Sequence, residues 1–229
     1  MNAATWVLIP VKPLATAKTR LAEVLTPSER RALVLAMLDD VLDTLAGVSG
    51  FAGVALVGGD AELARHLAGR GLRLLVEPEP DLNAALRAAR VELVAAGAER
   101  LLILPADIPA LDRAAVEALL ASAGAPAVAL VAASADGGTN ALLLAPPGLI
   151  EPAFGPGSCA CYRQAAAALG VVPRLLELPQ VALDIDRPAD LRALESLAGA
   201  PRTRALLRRL DIRARLRPET GGQPLARQA

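Results

Sequence analysis

Short apolar runs alternate with longer helix-patterned segments along this chain, and that alternation excludes most folds. Strand-like runs stand at residues 6–11, 53–57, 72–76, 100–104, 127–131, 141–144, 174–178 and 181–186. Between most of them lie amphipathic stretches of helical length, the pattern of stacked strand–helix–strand units. Such units need a mainly parallel sheet with helices on its faces, and the run 100–104, apolar after Arg100, suits its centre. Hydrophobic residues make up 54% of the chain but aromatics only 2%. The core is therefore built from Ala, Val, Leu and Ile, which suit helices on a sheet.

Local signals sharpen the reading. Thr26 caps a helix that Pro27 opens, Glu29 completes a capping box, and Gly47 closes it. Asp60 caps a helix to Arg70, and further helices are expected over 82–96, 112–123, 158–169 and 188–197. At 229 residues one domain is the default. We place it over 1–200, followed by an Arg-rich tail over 201–229 that is partly disordered.

The charges balance, 24 basic against 24 acidic. The chain as a whole thus offers no field for nucleic acid or a membrane surface. Its apolar runs fall far short of the ~20 residues that span a bilayer. Cys159 and Cys161 are too close for an ordinary disulfide, and a single His66 completes no zinc set. A reduced, cytoplasmic protein is expected. Its oligomeric state stays open, a homodimer included.

Ligands of open α/β sheets bind beyond the carboxyl ends of the strands, and four strand-end loops carry chemistry. The first holds Lys12, Lys18 and Arg20, either a solvated basic loop or a clamp on triphosphate oxygens. It has no P-loop motif. The second holds Asp107 between two prolines, a turn cap or a ligand for a hard cation such as Mg²⁺. Asp184 and Asp186 supply a second carboxylate site, and strand alternation puts them on one face. Asp186 also suits a helix cap. The third loop, Gly137-Gly138-Thr139-Asn140, and the fourth, Gly155-Pro156-Gly157-Ser158, offer glycines, hydroxyls and free N–H groups that bind anions. Alternatively Gly138 turns a hairpin and Ser158 caps a helix. Together the loops suggest separate seats for a nucleotide and a second anionic substrate.

These residues carry a resemblance. Ile9-Pro10-Val11-Lys12, Lys18-Thr19-Arg20-Leu21, Leu82-Asn83, Leu104-Pro105-Ala106-Asp107-Ile108-Pro109, Gly138-Thr139-Asn140, Phe154-Gly155-Pro156-Gly157-Ser158 and Asp184-Ile185-Asp186-Arg187-Pro188 stand in order over residues 6–195. They resemble the guanylyltransferases of deazaflavin coenzyme (F-420) biosynthesis, relatives of the molybdenum-cofactor guanylyltransferases. The resemblance implies a three-layer, Rossmann-like fold of the nucleotide-diphospho-sugar-transferase type. It implies transfer of GMP from GTP to phosphoenolpyruvate, 2-phospho-L-lactate or 3-phospho-D-glycerate, with release of pyrophosphate.

By the matching motifs, Asp107 and Asp184, with Asp186 beside them, would hold Mg²⁺, and Thr139, Gly155 and Ser158 would bind the phosphorylated acid. Lys12, Lys18 and Arg20 would line the nucleotide phosphates, Lys18 sharing catalysis with the carboxylates, and Asn83 would lie near the base. One departure stands out. Cys161-Tyr162-Arg163 replaces the basic Arg-His pair usual after Ser158. The alternatives are a molybdopterin or sugar-phosphate nucleotidyltransferase, whose glycine-rich first loop is missing here, and a non-catalytic GTP-binding module.

Overall fold

The computed structural model describes residues 4–75, 81–122 and 124–216. The chain runs β1 (Thr5–Val11), α1 (Pro27–Ala46), β2 (Phe51–Gly58), α2 (Ala61–His66), β3 (Arg73–Leu75), α3 (Leu82–Ala95), β4 (Arg100–Ile103) and α4 (Arg113–Ala121). It continues through β5 (Ala127–Ala132), β6 (Thr139–Ala145), α5 (Ser158–Ala168), β7 (Arg174–Leu175), α6 (Pro179–Ala182), α7 (Pro188–Ala193), α8 (Pro201–Arg209) and α9 (Ile212–Arg215). The strands form one sheet in the order β3-β2-β1-β4-β6-β5-β7. Only β6 breaks the parallel pattern, lying antiparallel to both β4 and β5.

Alternation along the strands divides the core into two faces. Val7 and Ile9 of β1, Leu102 of β4 and Leu143 of β6 join one cluster with α1, α4 and α8. Their neighbours Leu8, Leu101, Ile103, Leu142 and Leu144 join the other with α3 and α5. Both faces are covered, so the strands read as continuous apolar runs. The fold is the expected three-layer, mostly parallel α/β sheet. Each fully buried Leu or Ile contributes about 1.5–3 kcal/mol.

Helix ends follow the sequence signals. The Thr26–Glu29 capping box is formed with Pro27 at the first helical position. Asp60, Asp81 and Asp112 cap α2, α3 and α4. Several elements are shorter than expected, α7 ending at Ala193 among them. Helix α2 ends at His66, and β7 stops at Leu175 because the chain turns into the cap of α6. The run 181–186, expected as a strand, joins no sheet: it begins inside the α6 turn that Pro179 initiates, and 183–186 has no regular structure. Pro78 and Pro80 predict a stiffened, non-helical loop over 77–81, of which residues 77–80 lie outside the described residues.

The Arg-rich segment beyond residue 200 starts as packed structure. Leu206, Leu207, Ile212 and Leu216 are buried in the same cluster as α1. Asp40 of α1 accepts from the backbone N–H groups of Arg202 and Thr203, capping α8 from a neighbouring helix. Among the described residues no helix is long and apolar enough to cross a membrane. Cys159 is buried, Cys161 is exposed, and both are free thiols.

Candidate active site

The sheet order locates the site. From β1 the chain winds outward through β2 to β3, then returns so that β4 pairs on the other side of β1. A crevice opens where such an order reverses, beyond the carboxyl ends of β1 and β4. Here it measures about 700 Å³ and is lined by Lys12, Lys18, Arg20, Asp107 and Asp186, among others. Because β6 is antiparallel, its first residues, Thr139 and Asn140, arrive at the same end.

Each carboxylate is placed by backbone. Ile185 N–H donates to the Asp107 carbonyl at 3.0 Å, laying the 183–187 segment beside the β4 loop. Ile185 is fully buried, and alternation turns Asp184 and Asp186 away from the core. One oxygen from each of Asp107, Asp184 and Asp186 lies within 4.8 Å of the others, the one such group among the described residues.

Lys18 closes this cluster. Its Nζ lies 2.5 Å from Asp107 Oδ2 and 2.7 Å from Asp186 Oδ1. Its backbone is left-handed, φ 55° and ψ 38°, a conformation that costs a residue with a Cβ about 1–2 kcal/mol. Burial works to lower its pKa, but the charges of Asp107 and Asp186 and its bonds to both outweigh this, holding the ammonium above its ordinary value of 10.5. For Asp186 burial opposes ionisation, yet Lys18, Arg20 and Lys12 hold the carboxyl below its ordinary value. Asp184 is raised, by burial first and then by the charges of Asp107 and Asp186, against a bond from Asn140.

The cluster fits a hard divalent cation. Three carboxylates are the right donors, and Asp107 Oδ1 is buried with no hydrogen-bond partner. A buried carboxylate oxygen left unpaired is costly, and a bound cation would satisfy it.

The third and fourth loops form a unit beside this cluster. Thr139 Oγ1 and Ser158 Oγ lie 2.9 Å apart, both buried. Gly157 N–H donates to the Asp136 carbonyl and Cys159 N–H to the Gly137 carbonyl. Gly155 and Gly157 hold φ 145° and 72°, which suit glycine. The helix-cap reading of Ser158 does not survive: Gly157 occupies the cap of α5, and Ser158, its first helical residue, turns its hydroxyl to Thr139. Asn140 donates to Asp184 Oδ1 at 3.1 Å, joining this unit to the carboxylates.

A family model described as guanylyl transferase CofC like matches residues 5–224. The chain belongs to this guanylyl transferase family. The phosphoenolpyruvate guanylyltransferase of Sphaerobacter thermophilus is 44% identical to it over 195 residues, covering 85% of this chain and 93% of that protein. The 3-phospho-D-glycerate guanylyltransferase of Phenylobacterium zucineum is 39% identical over 211 residues, covering 89% and 94%. Among solved structures, a protein of Desulfovibrio desulfuricans G20 assigned to the nucleotide-diphospho-sugar transferases superposes with a TM-score of 0.73 at 21% identity, over 93% of this chain and 98% of that one. A 4-diphosphocytidyl-2C-methyl-D-erythritol synthase gives 0.60 at 16%, over 85% and 98%. These two likenesses concern the fold.

Of the site residues expected from sequence, the structure brings Lys12, Lys18, Arg20, Asp107 and Asp186 to the crevice, with Asp184 clustered against the two aspartates. It pairs Thr139 with Ser158 beside Gly155. Asn83 stands apart, bonded to the backbone of Phe154. Three contacts were not expected from the sequence. Asn140 orients Asp184, Tyr162 Oη accepts from Ala153 N–H at 2.7 Å, and Asp60 accepts from Leu14 N–H at 2.8 Å, anchoring the first loop. Tyr162, part of the segment that departs from the expected basic pair, is buried in the core. Its side chain supports the fourth loop from behind through the bond from Ala153 N–H.

Proposed function

We propose that this protein transfers GMP from GTP to phosphoenolpyruvate, with 3-phospho-D-glycerate as the next acid to test, and releases pyrophosphate. The observation that carries this is the cluster of Lys18 with Asp107, Asp184 and Asp186 at the switch point, linked through Asn140 to the Thr139–Ser158 pair. It sets a phosphate-handling centre beside a second anion seat.

Asp107, Asp184 and Asp186 would hold a divalent cation, taken as Mg²⁺, which when bound supplies positive charge to phosphate oxygens. Lys12, Lys18 and Arg20 neutralise the triphosphate by charge-assisted bonds. The Thr139 and Ser158 hydroxyls, with the backbone at Gly155, hold the acid. An oxygen of the acid's phosphate attacks the α-phosphorus of GTP. The new P–O bond forms as the bond to the β-phosphate oxygen breaks, and pyrophosphate leaves in line. Positioning and charge neutralisation carry the rate, since an ionised phosphate needs no base. The residue types fit: His66 is bonded to Asp39 between α2 and α1, and neither cysteine lies among the crevice residues named above.

The test is incubation of pure protein with GTP, Mg²⁺ and each acid in turn, with the adduct read by mass spectrometry. A guanylylated acid and stoichiometric pyrophosphate are expected, with faster turnover on GTP than on ATP below saturation. GTP binding without pyrophosphate release for any acid would favour the non-catalytic module instead.

A further inference from the structure

Asn83 is the second residue of α3, and its carboxamide reaches 71 residues along the chain. Its Nδ2 donates to the Phe154 carbonyl at 3.0 Å, and its Oδ1 accepts from Phe154 N–H at 2.7 Å. The backbone groups fix which end is which, since only Oδ1 can face an N–H and only Nδ2 a carbonyl. The pair closes as two strands of a sheet would, and it seizes the residue immediately before Gly155. One residue earlier, Ala153 N–H is held by Tyr162 Oη, and the rings of Phe154 and Tyr162 meet edge to face at 5.7 Å.

The segment from Ala153 onward enters two positive-φ glycines, whose backbone is the least restricted of any residue. Beyond them the loop is tied down by Gly157 N–H on the Asp136 carbonyl and Cys159 N–H on the Gly137 carbonyl, and before them its direction is set by Tyr162 beneath and Asn83 beside it. Helix α3 meanwhile lines the crevice through Leu82 and Ala85. One amide therefore joins the wall of the nucleotide crevice to the loop that carries Gly155 and Ser158.

We infer that Asn83 is a positioning residue for the acid-binding loop, acting through the backbone of Phe154, rather than a reader of the guanine base. This rests on the proposed guanylyl transfer to a phosphorylated acid. Both heteroatoms of its amide are engaged by protein, and the bonded backbone belongs to the acid's loop.

The variants are Asn83→Ala, which removes both bonds, and Asn83→Asp, which keeps the acceptor but sets a carboxylate oxygen against the Phe154 carbonyl. The aspartate also suits the first turn of a helix, which favours folding of this variant, and a melting curve on each variant confirms the fold. Michaelis constants for phosphoenolpyruvate and GTP, and the GTP-to-ATP rate ratio, are measured on each beside the native protein. We expect the constant for the acid to rise about tenfold, equivalent to about 1.4 kcal/mol. The constant for GTP and the nucleotide preference should move less than about twofold, within the scatter expected of an uninvolved group. A raised constant for GTP with a relaxed preference for GTP over ATP overturns the inference, as does an unchanged constant for the acid. A native protein that turns over no acid refutes the guanylyl-transfer reading itself and takes this inference with it.

Discussion

Lys18 Nζ lies 2.5 Å from Asp107 Oδ2, so an ammonium occupies the seat that the carboxylate arrangement prepares for a cation. The same nitrogen bonds Asp186, and Asp107 keeps its second oxygen unpaired. If these carboxylates hold a cation as proposed, Lys18 would compete with it for the same oxygens, and its displacement would free the ammonium for phosphate. Lys18→Met should therefore bind Mn²⁺ more tightly than the native protein, by about tenfold or more, because removing a unit charge at ~4 Å is worth about 1–4 kcal/mol. Turnover should fall in the same variant. Electron paramagnetic resonance titration of free Mn²⁺ measures the first effect without substrate. Weaker Mn²⁺ binding would mean that Lys18 supports the metal instead of competing with it.

Asp107→Asn should lose turnover and keep its fold. The carboxylate sits at the end of β4 with its backbone carbonyl bonded to Ile185, a contact the substitution leaves intact. Loss of a single charge-stabilising group costs about 2.7–4 kcal/mol in comparable sites, or 10²–10³ in rate. Pyrophosphate release and a melting curve on one sample decide it. Near-native turnover in a folded variant would remove Asp107 from the chemistry.

Ser158→Ala separates the acid seat from the nucleotide seat. Since Gly157, not Ser158, caps α5, the lost hydroxyl costs the bond to Thr139 but no helix cap. Stability should fall by about 0.5–1.5 kcal/mol. The Michaelis constant for the acid should rise well beyond that for GTP. Equal changes in both constants would make the Thr139–Ser158 bond a purely structural one.

Local and periodic features were legible in the sequence. The Thr26–Glu29 box spans one helical turn, and Asp107 announces itself as a carboxylate stranded at the end of an apolar run between prolines. The alternation of Asp184 and Asp186 about buried Ile185 needed only locally extended backbone, although the segment joins no strand. Illegible were the bonds in which a side chain meets distant backbone: Asn83 with Phe154, Tyr162 with Ala153, Asp60 with Leu14. Any carbonyl or N–H can serve there, so no residue type marks the partner. The Arg-rich stretch from 201 read as a tail because its charges hide Leu206, Leu207, Ile212 and Leu216, which pack on α1.

Tyr162 is the one tyrosine of the chain, so its phenol can be followed alone by ultraviolet absorbance. Burial pushes its pKa up to about 12, against a partly offsetting bond from Ala153 N–H. A raised folded pKa stabilises the fold below the unfolded value near 10 and loses that contribution as pH rises toward 12. Phenolate absorbance should therefore appear well above pH 10 and coincide with unfolding. Tyr162→Phe should cost about 1–3 kcal/mol by stranding the Ala153 N–H, which lowers a melting temperature by about 2–4 °C per kcal/mol at this size. Ordinary titration near pH 10 in the folded protein would show the phenol to be exposed.

Glu29 ties the first helix to the last. Its carboxylate completes the α1 capping box through Thr26 N–H and also receives two bonds from Arg215, at 2.8 and 3.0 Å. Arg215 contributes most, followed by the Thr26 backbone, and together they lower the Glu29 pKa from 4.5 to about 2. A depressed folded pKa means that the stabilisation is fully present above the unfolded value of about 4.5. It is lost as pH falls from there toward 2, where the folded carboxylate protonates. Urea midpoints measured at steps from pH 6 to pH 2 should thus decline over that window in the native protein. In Glu29→Gln the decline should be shallower, and Arg215→Gln should reproduce part of the change. Added salt should weaken the effect, since the pair is near the surface. A native-like slope in Glu29→Gln would show that other carboxylates govern acid stability and that the Glu29–Arg215 bonds do not persist in solution.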